Sequence, residues 1–331
     1  MGNQLKASLK TETNESRHPA DPASPVFLVG AERSGTTLLR LMLDHHPQMT
    51  WINEFAYAVD WVPSNGWPDV EEYRRKLLDD RIFMDSGLKI DPSLDYVELV
   101  NDFLRQWRQR SGKPFVGAQV HRHFGKILRL WPEARFIHLL RDPRDVARSR
   151  IQMGWAGNTW HATRVWIETE QKWEEVRANI PPNRQIDVYY ENLVRQPESE
   201  LRRICKHIGV TYDARMLKFH TDTTYEPVNV EFREKWRHQL TSREIQLVEA
   251  DAAGMMRERG YELSGLPSIR VVGLTRVALA IQNRYKRVRF RVRKYGMELW
   301  LEDVIFRRLS EAFWRKRVLK RIQAVNRGRV K

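Results

Sequence analysis

At Pro25 a polar opening gives way to Val26-Phe27-Leu28-Val29, an unbroken apolar run closed by Gly30. Such a run between Pro and Gly reads as a strand buried on both faces. From Thr36 to Asp44, Leu38, Leu39, Leu41 and Met42 fall at helical spacing, and His45-His46-Pro47 ends the pattern. A second buried strand is predicted at Arg135–Leu140, after the helix-like FGKILRLW and Pro132, and a third at Ile186–Tyr190, after Pro181-Pro182. Between these two, Trp160 to Asn179 repeats Trp166, Thr169, Trp173 and Val176 with helical period. Strands alternating with helices predict an α/β fold, a central parallel sheet covered by helices on both faces.

The flanks differ from this core. Residues 1–24 are rich in Pro, Ser, Thr and Asn and read as a flexible leader without the apolar core of a signal peptide. Past Leu263 the chain runs through Ser-Gly-Leu-Pro-Ser into a basic tail, so boundaries are expected at 25–265 for the main domain and 266–331 for the tail. In Arg284–Lys294 basic residues alternate with Val and Phe, while Glu298 to Val325 has helical spacing. Trp300, Leu301, Val304, Ile305, Leu309, Phe313 and Trp314 share broad helical faces there, flanked by Arg307, Arg308, Arg315, Lys316 and Arg317. From residue 271 onward 18 Lys/Arg stand against 4 Asp/Glu, a net +14 out of the chain's +15. The main body is therefore nearly neutral, which argues against a nucleic-acid enzyme, whose basic surface should line its cleft. A basic amphipathic tail suits an anionic membrane surface; packing on the main body or on a second subunit, in a homodimer, is the competing use.

Composition narrows the class. Charged residues at 30% and hydrophobic ones at 41% exclude wholesale disorder. One cysteine excludes an internal disulfide and fits a reducing, cytoplasmic setting. No apolar run is long enough for a transmembrane helix.

The strand VFLVG runs straight into Ala31-Glu32-Arg33-Ser34-Gly35-Thr36-Thr37 and then a helix. In a strand–loop–helix of this kind, backbone N–H groups and the helix N-terminus cradle an anion. Gly30 and Gly35 bracket four residues, as in a Walker loop, yet Thr36-Thr37 stands where that loop requires Lys-Ser/Thr. The β/γ-phosphate clamp of a nucleoside-triphosphate enzyme is missing, and Arg33 supplies the loop's cation.

The segment FLVGAERSGTTLLRLMLDHHP resembles the 5′-phosphosulfate loop of sulfotransferases that use 3′-phosphoadenosine-5′-phosphosulfate (PAPS), on the tyrosylprotein and bacterial carbohydrate-type branch. PEARFIHLLRDPRDVARSRI resembles the same family's 3′-phosphate motif. The resemblance covers residues 25–263 and implies a P-loop-like three-layer core with PAPS as co-substrate. Arg33, Ser34, Gly35, Thr36 and Thr37 are then expected on the 5′ side, with Arg141 and Ser149 on the 3′-phosphate. Arg at a strand's carboxyl end and Ser on the following helix can converge on one phosphate. In IDVYYENLV, Tyr190 matches the tyrosine beside the adenine; a core tyrosine is the alternative. Near Trp236, Arg233, Lys235 and Arg237 match basic residues that reach back to the cofactor, or else form a solvated face.

Sulfuryl transfer needs cations for the leaving phosphate and a base for the acceptor proton. Glu54, in MTWINEF, aligns with the family's catalytic-base Glu; a surface carboxylate is the alternative. Many relatives carry a Lys where Gln119 stands, so the cation at the bridging oxygen falls to Arg33. His121 is a second candidate base. The histidines lack partners at zinc spacing, and no metal is expected. The acceptor, a hydroxyl or amine on a carbohydrate or a lipid-linked molecule, is left open. The rival readings are a P-loop nucleotide kinase or NTPase, and a non-catalytic basic scaffold binding RNA or membrane.

Overall fold

The computed structural model describes residues 24–306 together with 318, 321, 322 and 325. The expected leader up to residue 23 lies outside the described residues, as do Leu309, Phe313, Trp314 and the cations Arg307, Arg308, Arg315, Lys316 and Arg317.

Five parallel strands, β1 (Val26–Val29), β2 (Met49–Ile52), β3 (Phe115–Val120), β4 (Arg135–Leu140) and β5 (Gln185–Tyr189), form one sheet in the order β2-β3-β1-β4-β5. Helices α1 (Thr36–Asp44), α2 (Val70–Asp79), α3 (Arg81–Ser86), α4 (Tyr96–Ser111), α5 (Phe124–Leu130), α6 (Pro143–Gln152) and α7 (Thr159–Arg177) precede β5. After it come α8 (Tyr190–Arg195), α9 (Pro197–Ile208), α10 (Trp236–Gln239), α11 (Ser242–Glu258), α12 (Gly273–Tyr295) and α13 (Met297–Phe306). The α/β architecture expected from the pattern is the one observed.

Strand alternation divides β1 between two cores. Phe27 and Val29 pack with Val100 and Phe103 of α4, Ile127 of α5 and Trp173 of α7. Val26 and Leu28 pack on the other face with Leu39 and Met42 of α1, Leu193 of α8 and Leu201 of α9. All four β1 residues are buried, which is why the run carries no polar position. Strands β2 and β3 escaped the pattern for a physical reason. Gly117 and Gln119 dilute the apolar signal of β3, and Gly117 is required because a Cβ there would stand 2.6 Å from the Trp51 ring of β2. The chain leaves β1 toward β2 and β3 on one side and reaches β4 and β5 on the other. This reversal opens a crevice at the strands' carboxyl ends, where α/β sheets bind ligands.

Beyond residue 266, helix α12 is joined to the body along one face. Asn158 caps α7 by accepting from His161 N–H at 3.0 Å and donates to Leu279 O of α12 at 2.8 Å. Gly157 N–H donates to Asn283 Oδ1 at 2.7 Å, and Leu279 packs with Trp160 and Leu247. A Cβ on Gly157 would lie 2.5 Å from Asn283 O. Gly157→Ala should therefore unseat α12 and cost ~1–3 kcal/mol, the range for overpacking a close contact. A lowered urea midpoint with faster proteolysis between residues 264 and 272 is the expected outcome; an unchanged midpoint and cleavage rate would contradict this packing.

Candidate functional site

The loop between β1 and α1 is shaped by two glycines. Gly30 has φ 144° and Gly35 φ 98°, and a Cβ on Gly35 would stand 2.3 Å from the Tyr190 ring. Arg33 adopts φ 74° without being glycine, a conformation that costs ~1–2 kcal/mol and persists only where surroundings hold it. Its Nε donates to Ser149 Oγ at 3.1 Å, and its carbonyl accepts from Arg141 Nη1 at 3.2 Å. The two motifs, more than a hundred residues apart in sequence, thus meet at Arg33. No side chain caps α1, whose N-cap is Gly35, so its first N–H groups stay free to face an anion. Ser34 Oγ and Arg141 Nε are buried without a hydrogen-bond partner among the described residues. Those unspent donors, the uncapped helix and the glycine cradle fit a phosphate-bearing ligand. Burial lowers the Arg33 guanidinium from its ordinary value, and neighbouring Arg141 and Arg150 press it the same way.

Arg141 leaves the carboxyl end of β4 with its guanidinium 4.0 Å above the Tyr190 ring, and Nη2 donates to Phe232 O at 3.0 Å. The rest of the Arg-Asp-Pro-Arg-Asp motif is structural. Arg144 pairs with Asp142 and Glu249 and lies 3.7 Å over the Trp236 ring, and Asp145 Oδ1 accepts from Trp236 N–H at 3.0 Å. These contacts fasten the closing segment over the sheet end.

Two cavities meet at the loop. The larger, about 380 Å³, is lined by Arg33, Gly35, Thr36, Thr37, Arg141 and Tyr190 and closed by Tyr225 and Phe232. The smaller, about 90 Å³, is lined by Arg33, Thr36 and Thr37 again, with Glu54, His121 and Trp155. Arg33, Thr36 and Thr37 form the partition between them. Glu54 sits at the end of β2 with φ 48°, half-buried. His121 spends both ring nitrogens on the protein: Nδ1 faces Gly30 O at 2.9 Å and Nε2 faces Gln119 Nε2 at 2.8 Å. Arg233 and Lys235 do not line the larger cavity; Lys235 Nζ lies 4.5 Å over the Phe232 ring, and Arg237 stacks on Trp236.

The sulfotransferase family model matches residues 25–214, more than half of the chain. The chain belongs to the sulfotransferase family. It is accordingly an enzyme that moves a sulfuryl group from PAPS to an acceptor. A putative protein-tyrosine sulfotransferase of Caenorhabditis briggsae is 28% identical over 213 residues, 59% of this chain and 69% of that protein. The omega-hydroxy-beta-dihydromenaquinone-9 sulfotransferase Stf3 of Mycobacterium tuberculosis is 25% identical over 260 residues, 58% of this chain and 63% of that one. The sulfotransferase domain from the curacin biosynthetic pathway shares the fold at TM-score 0.53 and 16% identity, covering 72% of this chain and 98% of that chain. The named acceptors of these relatives differ, so similarity assigns none to this sulfotransferase.

Several site residues carried no sequence signal. Thr224, Tyr225, Glu226 and Val228 wall the larger cavity from an irregular segment without periodicity. Trp155 stands out only after folding, 5.6 Å from the Arg33 guanidinium carbon and 5.4 Å from that of Arg150, which pairs with Glu32 at 2.6 Å.

Glu191 follows Tyr190 and secures the sulfotransferase crevice from beneath. Its Oε1 accepts from Asp142 N–H at 2.9 Å, and its Oε2 from the Tyr261 hydroxyl at 3.3 Å. Burial raises its carboxyl from 4.5 to about 7. A carboxyl raised on folding contributes stability that is full below its unfolded value and lost as pH rises through its folded one. Stability of the native protein should therefore decline between pH 4.5 and about 7 relative to Glu191→Gln, which has no proton to lose. Parallel stability–pH curves by urea denaturation would contradict this assignment.

Proposed function

We propose that the partition between the two cavities is the transfer point, with the PAPS nucleotide on the Arg141–Tyr190 side and the acceptor on the Glu54–Trp155 side. The observation carrying this reading is that Arg33, Thr36 and Thr37 line both cavities. Arg33, Ser34, Gly35 and the first N–H groups of α1 bind the 5′-phosphosulfate, and Arg141 with Ser149 binds the 3′-phosphate. Tyr190 forms the floor beneath Arg141 and flanks the adenine side. As the acceptor oxygen–sulfur bond forms and the sulfur–phosphate-oxygen bond breaks, the acceptor proton passes to the Glu54 carboxylate. The charge left on the 5′-phosphate rests on Arg33 and the loop's N–H donors, a preorganised arrangement of the kind that dominates such catalysis. His121 serves as a positioning residue that ties Gly30 to Gln119, because both its nitrogens are already engaged. Arg233 and Lys235 belong to the rim and reach the nucleotide only if the closing segment shifts.

Residues 25–265 form the catalytic unit in this reading and 266–331 a basic appendage to it. Its setting is cytoplasmic, supported by the single, buried Cys205. Among the described residues no helix is long and apolar enough to cross a membrane.

A transfer assay with radiolabelled PAPS tests the assignment. Arg33→Ala should lose ~2–4 kcal/mol of transition-state stabilisation, the range for one preorganised donor. Glu54→Gln should keep cofactor affinity and lose turnover. An active Glu54→Gln enzyme beside an inactive His121→Asn enzyme would reverse the choice of base.

A further inference from the structure

Helix α12 has two unlike faces. One face is seated on the body through Leu279, Asn283 and Phe290, the last lying where a Cβ on Gly154 would meet its ring at 2.1 Å. Opposite, Leu274, Val277, Ile281 and Tyr285 repeat at helical spacing and are 88%, 55%, 65% and 61% exposed. The 23 residues of α12 hold eight Lys/Arg and no Asp/Glu. At the seam between α12 and the body, Lys286, Arg289 and Arg293 line a cleft of about 280 Å³ that has Phe290 and Gly154 on its wall and no carboxylate.

We propose that α12 docks on an anionic phospholipid surface, its stripe entering the headgroup layer and the Lys286–Arg289–Arg293 cleft receiving headgroup phosphates. Charge and shape select this occupant. A second copy would press two uniformly cationic helices together, which is repulsive. A nucleic-acid backbone satisfies the cations and leaves four large apolar side chains in water. A lipid interface satisfies both, since amphipathic helices bury the apolar face while basic residues meet anionic headgroups. Residue Gly154, under Phe290, adjoins Trp155 of the smaller cavity. Docking therefore holds that cavity about one helix diameter, ~10–12 Å, behind the membrane-facing stripe. Given the acceptor side proposed above, the acceptor is a hydroxyl compound carried in the membrane; the docking itself does not rest on that reading.

The test is co-sedimentation of the full chain with phosphatidylcholine vesicles, with and without phosphatidylglycerol, over a salt series. Binding only to the anionic vesicles, falling as salt rises, is expected. Ile281→Glu should weaken it at least tenfold, and Arg289→Ala with Arg293→Ala about 25-fold, at ~1 kcal/mol per cation. All variants should bind adenosine 3′,5′-bisphosphate as the unaltered protein does, by calorimetry. Equal binding to neutral vesicles, or unchanged binding by the variants, overturns the proposal. So does an Ile281→Glu protein that loses nucleotide binding or dissociates from a dimer, because the stripe would then be a packing face. Failure of nucleotide binding in the unaltered protein would count against the cavity assignment and leave the vesicle result to stand by itself.

Discussion

The site depends on how Arg33 is held. Its backbone occupies the left-handed region, its side chain is half-buried, and no carboxylate among the described residues pairs with it. Each condition is unfavourable alone. Ser149 Oγ accepts a hydrogen bond from Arg33 Nε and Arg141 donates to the Arg33 carbonyl, so residues of α6 and of the end of β4 lock the loop from the opposite side. Gly35 then lets Tyr190 approach to a distance that any side chain would forbid, and Tyr190 in turn lies under Arg141. Three segments far apart in sequence are thereby fixed around one anion-sized space. The stored cost is what an anionic ligand relieves, since it gives the clustered cations and the partnerless donors Ser34 Oγ and Arg141 Nε a counter-charge.

Much of this was legible in the sequence because the decisive residues stand at strand ends. Runs of apolar residues located β1, β4 and β5, and a parallel sheet puts their carboxyl ends together. Arg33, Arg141 and Tyr190 stand at or just past those strand ends and Ser149 on the helix after β4, which is where the resemblance to the sulfotransferase motifs had placed them. Strand β3 was obscured by Gly117 and Gln119, which exist to admit Trp51 and to meet His121. The closing segment was the hardest part. Glu234 turns through φ 50° and Trp236 is anchored to Asp145, so the chain presents the Phe232 carbonyl to Arg141 while Arg237 pairs with Glu234. The resemblance implied that Arg233, Lys235 and Arg237 reach the cofactor, with a solvated face as the alternative; Arg233 and Lys235 do not line the larger cavity.

The basic C-terminal segment changes meaning once folded. Its charge, taken in bulk, separates it from a nearly neutral body. Contacts at Gly157, Asn158 and Leu279 join it to the loop that carries Trp155, so its position is coupled to the smaller cavity. The inner face of α12 is thus part of the fold, and only its outer face is available to a surface.

In the proposed site, Arg141 and Ser149 convert a general anion loop into one for a nucleotide bearing a 3′-phosphate. Calorimetry with adenosine 3′,5′-bisphosphate and adenosine 5′-monophosphate, on the native protein and Arg141→Ala, measures this directly. The native protein should bind the bisphosphate more tightly. The variant should lose most of that preference, worth ~1.5–3 kcal/mol for hydrogen bonds to a charged group. Equal affinities for the two nucleotides, or equal weakening of both in Arg141→Ala, would contradict it.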